Sequence, residues 1–181
     1  MKTKRIVLIG GPSSGKTTLI ESLDKQGYFC MPEISREVIK QAQAEGIEQL
    51  FLEDPVLFSS KLLDGRLAQH KAAKESTETI IFYDRGLPDV TAYMKYIAVS
   101  YPDSFNTVCR KHTYDHIFLL PPWEAIHTND DERYENFEQA KLITKFLKEE
   151  YELFGHSITE VPIGTVEERT KFIVNTLKLI S

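Results

Sequence analysis

A glycine-rich turn with a lysine and two threonines at its end follows the first apolar run of the chain, residues 6–9. Its spacing fits G-x-x-x-x-G-K-[ST], in which glycines expose backbone N–H groups and allow a phosphate to approach closely. Lys16 can reach the β- and γ-phosphates of a nucleotide, Thr17 can bind Mg²⁺ and Thr18 can contact the α-phosphate. The pattern therefore predicts a nucleoside triphosphate site. We call this segment the phosphate loop, and it consists of Gly10, Gly11, Pro12, Ser13, Ser14, Gly15, Lys16, Thr17 and Thr18.

An aspartate and an arginine follow a second apolar run, in the stretch IIFYDRGLPD. Asp84 can hold Mg²⁺ directly or through water, or it can orient or deprotonate an acceptor hydroxyl. Arg85 can neutralise charge on a transferring phosphoryl group or anchor the acceptor. The alternative is an aspartate helix cap beside a surface arginine. Asp89, a little further along, is equally open between a role in the site and a cap of the next helix.

A glutamate follows a third apolar run, in FCMPEISREV. Glu33 is placed to act as the base for an incoming hydroxyl, with Arg36 one helical turn further on. The alternative is an ordinary acidic residue at a helix N-terminus, where glutamate is favoured.

A polar, acidic stretch at about residues 122–137 follows the apolar run of residues 116–120. We interpret it as a lid that folds over the phosphates, in which Arg133 supplies positive charge in the transition state. A solvated loop with a solvent-facing arginine is the alternative. His127 reads as a loop residue, and Trp123 either packs under the lid or stacks on substrate. After the last apolar run, the backbone from Pro162 to residue 165 could border the nucleotide base.

These residues must be positioned by alternating strands and helices. The apolar runs predict strands at 5–9, 28–31, 79–83, 116–120 and 157–161, and most lack alternation, as strands buried on both faces do. Helical spacing and end signals predict helices at 17–26, 35–44, 55–76, 88–99, 103–111, 137–154 and from 166 onwards. The fold class is α/β with a parallel sheet, and ligands on such sheets lie beyond the carboxyl ends of the strands.

The composition fits one globular unit over residues 1–181, with a net charge of −5. The acidic balance argues against a nucleic-acid surface, and no apolar run is long enough to span a membrane. Cys30 and Cys109 lack metal-type spacing and read as reduced thiols, which together with the absence of a signal sequence predicts a cytoplasmic protein.

Across nearly its whole length the chain resembles the small P-loop kinase-like ATPases of the AAA-type ATPase and nicotinamide riboside kinase group. The resemblance is carried by GGPSSGKTTL, MPEISREV, FYDRGLPD, FLLPPW with DDERYENF, and VPIGTVEER. It implies a three-layer P-loop NTPase fold with a five-stranded sheet in the order 2-3-1-4-5, a lid after strand four, and ATP with Mg²⁺ as cofactors. The implied site residues are Lys16 and Thr17 for nucleotide and metal, Asp84 at the strand end, Glu33 and Arg85 on the acceptor side, and Arg133 in the lid.

Two functions remain open from the sequence. The first is an ATP-dependent kinase of a small, nucleoside-like metabolite, because the charged cluster exceeds what nucleotide binding needs. The second is an ATPase or nucleotide-dependent switch that acts with a protein partner, in which water is the acceptor. No second helical domain is visible, so a ring-forming motor is not expected despite the AAA label.

Overall fold

Five parallel strands form the central sheet, in the order β2-β3-β1-β4-β5. The computed structural model describes residues 3–126 and 136–179. The order and the parallel pairing confirm the predicted fold class. Each strand begins and ends within one residue of its predicted bounds. The strands are β1 Lys4–Ile9, β2 Phe29–Met31, β3 Ile80–Asp84, β4 His116–Leu119 and β5 Ile158–Glu160.

Eight α-helices connect and cover these strands in the described part of the chain. Two of them end three or four residues earlier than predicted. The fourth ends at Ala72 rather than 76, and the fifth ends at Tyr96 rather than 99 because Ala98 takes a left-handed conformation with φ 56°. The short third helix was not predicted. The helices are α1 Lys16–Lys25, α2 Ser35–Ala44, α3 Leu50–Glu53, α4 Pro55–Ala72, α5 Pro88–Tyr96, α6 Ser104–Lys111, α7 Phe137–Leu153 and α8 Val166–Leu179, and a 3₁₀ turn spans Glu124–Ile126.

Side-chain caps fix the starts of α4 and α8. Asp54 accepts a hydrogen bond from the Leu57 N–H at 2.9 Å, as the Asp–Pro pair predicted for α4. Thr165 and Glu168 exchange the hydrogen bonds of the predicted capping box before α8. These local bonds supply partners for helix N–H groups that lack one within the helix.

The sheet is buried on both faces. Val7 and Ile9 of β1 pack into an apolar cluster with helices α2 to α7, whereas Ile6 and Leu8 pack into a second cluster with α1 and α8. All four side chains are fully buried, which explains why the strand sequence does not alternate. Within the described ranges, no helix is both long and apolar enough to cross a membrane.

Replacing a fully buried aromatic side chain of the sheet should destabilise the fold strongly. Phe82→Ala on β3 removes a fully buried ring from the cluster shared with α1 and α8, and it should lower the free energy of unfolding by about 3–5 kcal/mol. The matched control is Phe29→Ala on β2, because that ring is 47% exposed. Urea unfolding of both variants measures the difference. Equal losses would contradict the assigned burial.

Candidate active site

The phosphate loop joins the end of β1 to the start of α1 through strained backbone. Gly15 occupies the cap position of α1 with φ 81°, and Ser13 has φ 55°. Positive φ is readily adopted by glycine but costs energy at a serine. A Cβ atom at Gly11 would lie 2.7 Å from the Ala140 carbonyl oxygen, so that glycine permits the close approach of α7. The conformation matches what the sequence pattern requires.

Lys16 folds back over the phosphate loop. Its ammonium group donates hydrogen bonds to the Gly10 carbonyl at 2.8 Å, the Gly11 carbonyl at 3.1 Å and the Ser14 hydroxyl at 3.3 Å. Burial, assisted by the positive charge of Arg85, lowers the pKa of Lys16 to about 7, although nearby carboxylates oppose the shift. A buried ammonium held only by neutral oxygens is poised to exchange them for phosphate oxygens.

Asp84 offers a carboxylate oxygen that could serve a metal ion. It ends β3, opposite Leu8 of β1, and its Oδ1 atom is buried without a hydrogen-bond partner. Burial raises the pKa of Asp84, with Lys16 and Arg85 acting against that shift. Unpartnered buried oxygens are rare in native structures and point to an absent ion or water. Together with the hydroxyl of Thr17 in the first turn of α1, Asp84 fits the oxygen ligands that Mg²⁺ prefers.

Glu33 is held between two arginines. Its Oε2 atom accepts a hydrogen bond from Arg85 at 3.0 Å, and its Oε1 atom accepts one from Arg66 at 3.3 Å. Oε1 also accepts from the Ile34 and Ser35 N–H groups at the start of α2. Burial alone would raise the pKa of Glu33, but the two arginines and the Ser35 N–H hold it at about 2. The carboxylate is therefore ionised over the physiological range, and both of its oxygens have donors.

The turn after β3 is fixed by Asp89. This buried carboxylate accepts hydrogen bonds from the Gly86 N–H at 2.9 Å, from Arg85 at 3.3 Å and from the Tyr151 hydroxyl at 2.6 Å. A second tyrosine hydroxyl, that of Tyr114, accepts from the next backbone N–H in the turn at 3.0 Å. Asp89 lies in the first turn of α5, but the start of that helix has no side-chain cap. Asp89 holds the conformation of the turn and the direction of the Arg85 side chain.

A cavity of about 170 Å³ lies between the phosphate loop and helices α4, α5 and α7. Its lining combines charged and hydroxyl groups with apolar side chains. Such a mixed lining suits a small molecule that has both polar groups and an apolar body. The charged and hydroxyl-bearing lining residues are Glu33, Ser35, Ser59, Arg66, Arg85 and Asp89. The remaining lining residues are Pro12, Phe58, Leu62, Val90, Tyr93 and Ile143.

The structure brings most of the predicted site residues to one edge of the sheet. The charges of Asp84, Arg85 and Glu33 all act on Lys16, which places them around the phosphate loop. Pro162 is exposed in the turn between β5 and α8, and its role beside the nucleotide base stays a prediction. Arg133 and His127 lie outside the described residues, as does most of the predicted lid.

Sequence reasoning missed two buried arginines. Arg66 is 4% exposed and donates to the Gly86 carbonyl as well as to Glu33. Arg169 is 3% exposed and donates two hydrogen bonds to the Ser14 carbonyl of the phosphate loop. The sequence pattern could have indicated both, because each arginine lies on the apolar, buried face of its helix. Arg66 is four residues beyond the buried Leu62, and Arg169 is four residues before the buried Ile173.

Comparisons with known proteins agree with this fold. A family model described as "AAA domain" matches residues 5–169, and the chain belongs to this family. A search of curated proteins finds no match. The predicted resemblance to small P-loop kinase-like ATPases, nicotinamide riboside kinase-like, is confirmed.

Solved structures with a similar fold include a deoxyadenosine kinase and the NadR protein. The M. mycoides deoxyadenosine kinase with dCMP and dCDP is 18% identical with a TM-score of 0.67, and the match covers 96% of this chain and 98% of that one. NadR in complex with NR is 19% identical with a TM-score of 0.73, over 97% of this chain and 51% of that one. NadR with NAD and AMP-PNP is 19% identical with a TM-score of 0.69, over 97% and 49%. This chain thus spans about half the length of NadR.

Family and fold make the protein a P-loop enzyme, either an ATP-dependent phosphotransferase or an ATPase.

Nucleotide binding should become coupled to proton uptake above neutral pH. The pKa of Lys16 is about 7 in the free protein, and phosphate oxygens favour its charged form, so binding must add a proton wherever Lys16 is neutral. Binding of a non-hydrolysable ATP analogue should take up roughly 0.1 proton at pH 6 and about 0.9 at pH 8, with affinity falling as pH rises. Calorimetry in buffers of different ionisation enthalpy measures the uptake.

Lys16→Arg is the control, since a guanidinium stays charged throughout this range and should remove the pH-dependent part of the uptake. The same uptake in the control as in the parent protein would contradict the assignment to Lys16.

Glu33 should contribute stability that is lost in acid. Its pKa in the folded protein, about 2, is below the ordinary value, so its contribution is complete above about pH 4.5 and disappears as pH falls towards 2. The parent should exceed Glu33→Gln in unfolding free energy at pH 6, and this gap should shrink by about 2–3 kcal/mol by pH 2. Urea unfolding across pH measures the gap. Glu48→Gln, at an exposed position, is the control, and a pH-independent gap for Glu33→Gln would refute the ion-pair network.

Proposed function

We propose that the protein is a kinase that transfers the γ-phosphoryl group of ATP, with Mg²⁺, to a hydroxyl of a small nucleoside-like molecule. The cavity beside the phosphate loop is the observation that carries this proposal. Pro12 of the phosphate loop lines it together with Glu33 and Arg85, so an acceptor bound there would lie next to the phosphates. An enzyme that uses only water as acceptor has no need of an apolar pocket at that place.

On the nucleotide side, the phosphate loop would cradle the phosphates, with Lys16 on the β- and γ-phosphates. Thr17 and Asp84 would hold Mg²⁺, which neutralises charge that develops on the phosphates during transfer. The turn that begins at Pro162 would border the nucleotide base. Arg133 would add positive charge from the lid as the phosphoryl group moves.

On the acceptor side, Glu33 would hold the attacking hydroxyl and Arg85 would contact the transferring group. The hydroxyl oxygen bonds to the γ-phosphorus, the bond from that phosphorus to the bridging oxygen breaks, and ADP leaves with the bond electrons. A carboxylate with a pKa of about 2 is a weak proton acceptor, so Glu33 would chiefly orient the hydroxyl and receive its proton late. A loose transition state demands little earlier deprotonation.

The similar structures support a nucleoside-like acceptor. Deoxyadenosine kinase and the NadR protein with NR share the fold over almost all of this chain. Their identities of 18% and 19% establish the fold alone, so the acceptor is proposed from the cavity and its lining.

A second candidate is an ATPase or nucleotide-dependent switch that acts with a protein partner. The description of the family as an AAA domain favours it. In that case Asp84 would organise Mg²⁺ and water would attack the γ-phosphate.

The deciding experiment measures ATP consumption with Mg²⁺ in the presence of nucleosides, vitamins and their monophosphates, with product masses read by mass spectrometry. We expect one class of small molecule to gain a phosphoryl group, and Lys16→Ala to abolish the gain. Glu33→Gln should lower turnover by at least about tenfold while the KM for ATP changes little. ADP release that no member of the panel stimulates would favour the ATPase.

A cavity-filling variant and its control test whether the acceptor binds in the cavity. Leu62→Phe extends a side chain of α4 into the cavity and should block phosphorylation of the acceptor while ATP still binds. Leu57→Phe, on the same helix but 42% exposed, is the matched control and should behave like the parent. Equal activity of both variants would place the acceptor elsewhere.

A further inference from the structure

Arg169 joins α8 to the phosphate loop through a single backbone oxygen. Its two terminal nitrogens, Nη1 and Nη2, each donate a hydrogen bond of 3.1 Å to the Ser14 carbonyl. The loop is shaped to admit it, since a Cβ atom at Gly15 would lie 2.9 Å from Nη1. The contact spans 155 residues of sequence and connects the last helix to the start of the first.

The buried guanidinium of Arg169 has no compensating carboxylate among the residues that the structure describes. Arg169 is 3% exposed, its Nε atom has no hydrogen-bond partner, and it takes part in none of the ion pairs among the described residues. Burial lowers the pKa of Arg169 with no opposing contribution from a carboxylate. A buried charge is normally paired, so this guanidinium keeps positive charge directly behind the phosphate-binding turn.

The hydrogen bonds from Arg169 to the Ser14 carbonyl also fix the orientation of the Ser14–Gly15 peptide group. In a trans peptide the carbonyl and the following N–H point in opposite directions. Because Arg169 holds the Ser14 carbonyl, the N–H of Gly15 must point away from Arg169. The left-handed conformation of Gly15, φ 81°, accommodates this orientation at the start of α1.

We propose that Arg169 is a positioning residue of the nucleotide site, which locks the Ser14–Gly15 peptide so that the Gly15 N–H faces the bound phosphates. Its positive charge lies across that peptide group from the phosphates and attracts them at longer range. The proposal rests on the nucleotide part of the proposed function and is independent of which acceptor is used. A purely structural arginine would stabilise the packing of α8 on α1 without affecting the Gly15 amide in the complex.

The test compares Arg169→Met with Lys171→Met, an exposed position on the same helix. ADP is the probe, because its binding needs no acceptor. We expect the Kd for ADP to rise about tenfold to a hundredfold in Arg169→Met and to stay within twofold of the parent in Lys171→Met. In ¹⁵N-labelled protein, the shift of the Gly15 amide proton on saturation with ADP should fall to less than half in Arg169→Met.

Thermal unfolding without nucleotide separates a loss of folding from a loss of positioning. If Arg169→Met does not fold, Arg169→Lys replaces it, since an ammonium keeps the charge but cannot donate from two fixed nitrogens to one oxygen. ADP affinity within twofold of the parent, or an unchanged Gly15 shift at saturation, would overturn the proposal in whichever variant folds. Absence of ADP binding by the parent would overturn the nucleotide site itself, whereas an inactive acceptor panel would count only against the kinase.

Discussion

Burial of the sheet on both faces is the constraint on which the rest of the structure depends. Val7 and Ile9 pack to one side of β1 and Ile6 and Leu8 to the other, so the strand leaves no face for polar chemistry. A parallel sheet covered in this way exposes functional groups only where its strands end. The phosphate loop, Glu33 and the turn from Asp84 therefore meet at one edge although they are far apart in sequence.

At that edge the charges are arranged in pairs that share members. Glu33 lies between Arg66 and Arg85, and Arg85 lies between Glu33 and Asp89. Each of these four charges has an opposite neighbour, which offsets the loss of hydration. Lys16 differs, because it donates to two carbonyls and a hydroxyl and its pKa falls to about 7. Pairing thus holds the acceptor side rigid, whereas the nucleotide side keeps positive groups for an anion.

The strands, the phosphate loop and the caps of α4 and α8 were predicted because each is encoded locally by apolar runs, glycines or capping residues. The order of the strands in the sheet came instead from the resemblance to the P-loop kinase-like family, since no local pattern specifies it. It could not show that Glu33 would be held at a pKa of about 2, since its second partner Arg66 lies on α4, 33 residues away. The burial of Arg66 and Arg169 was not predicted for a related reason. A charged residue on an apolar stripe is recognisable only once the stripe is known to be buried, and the partner of Arg169 is a backbone carbonyl, which no residue pattern reveals.

The different positions of the Asp84 and Arg85 side chains depend on a strained backbone conformation at Arg85. In an extended strand, neighbouring side chains point to opposite faces, but Arg85 has φ 70°, so the chain turns immediately after the last residue of β3. Such a conformation costs about 1–3 kcal/mol at a residue other than glycine. Asp89 offsets that cost by accepting from both the Gly86 N–H and the Arg85 side chain, and the Tyr151 hydroxyl in turn fixes Asp89. Arg85 thereby lines the cavity while Asp84 stays at the strand end, so that under the proposed function Asp84 would serve the metal ion and Arg85 the acceptor.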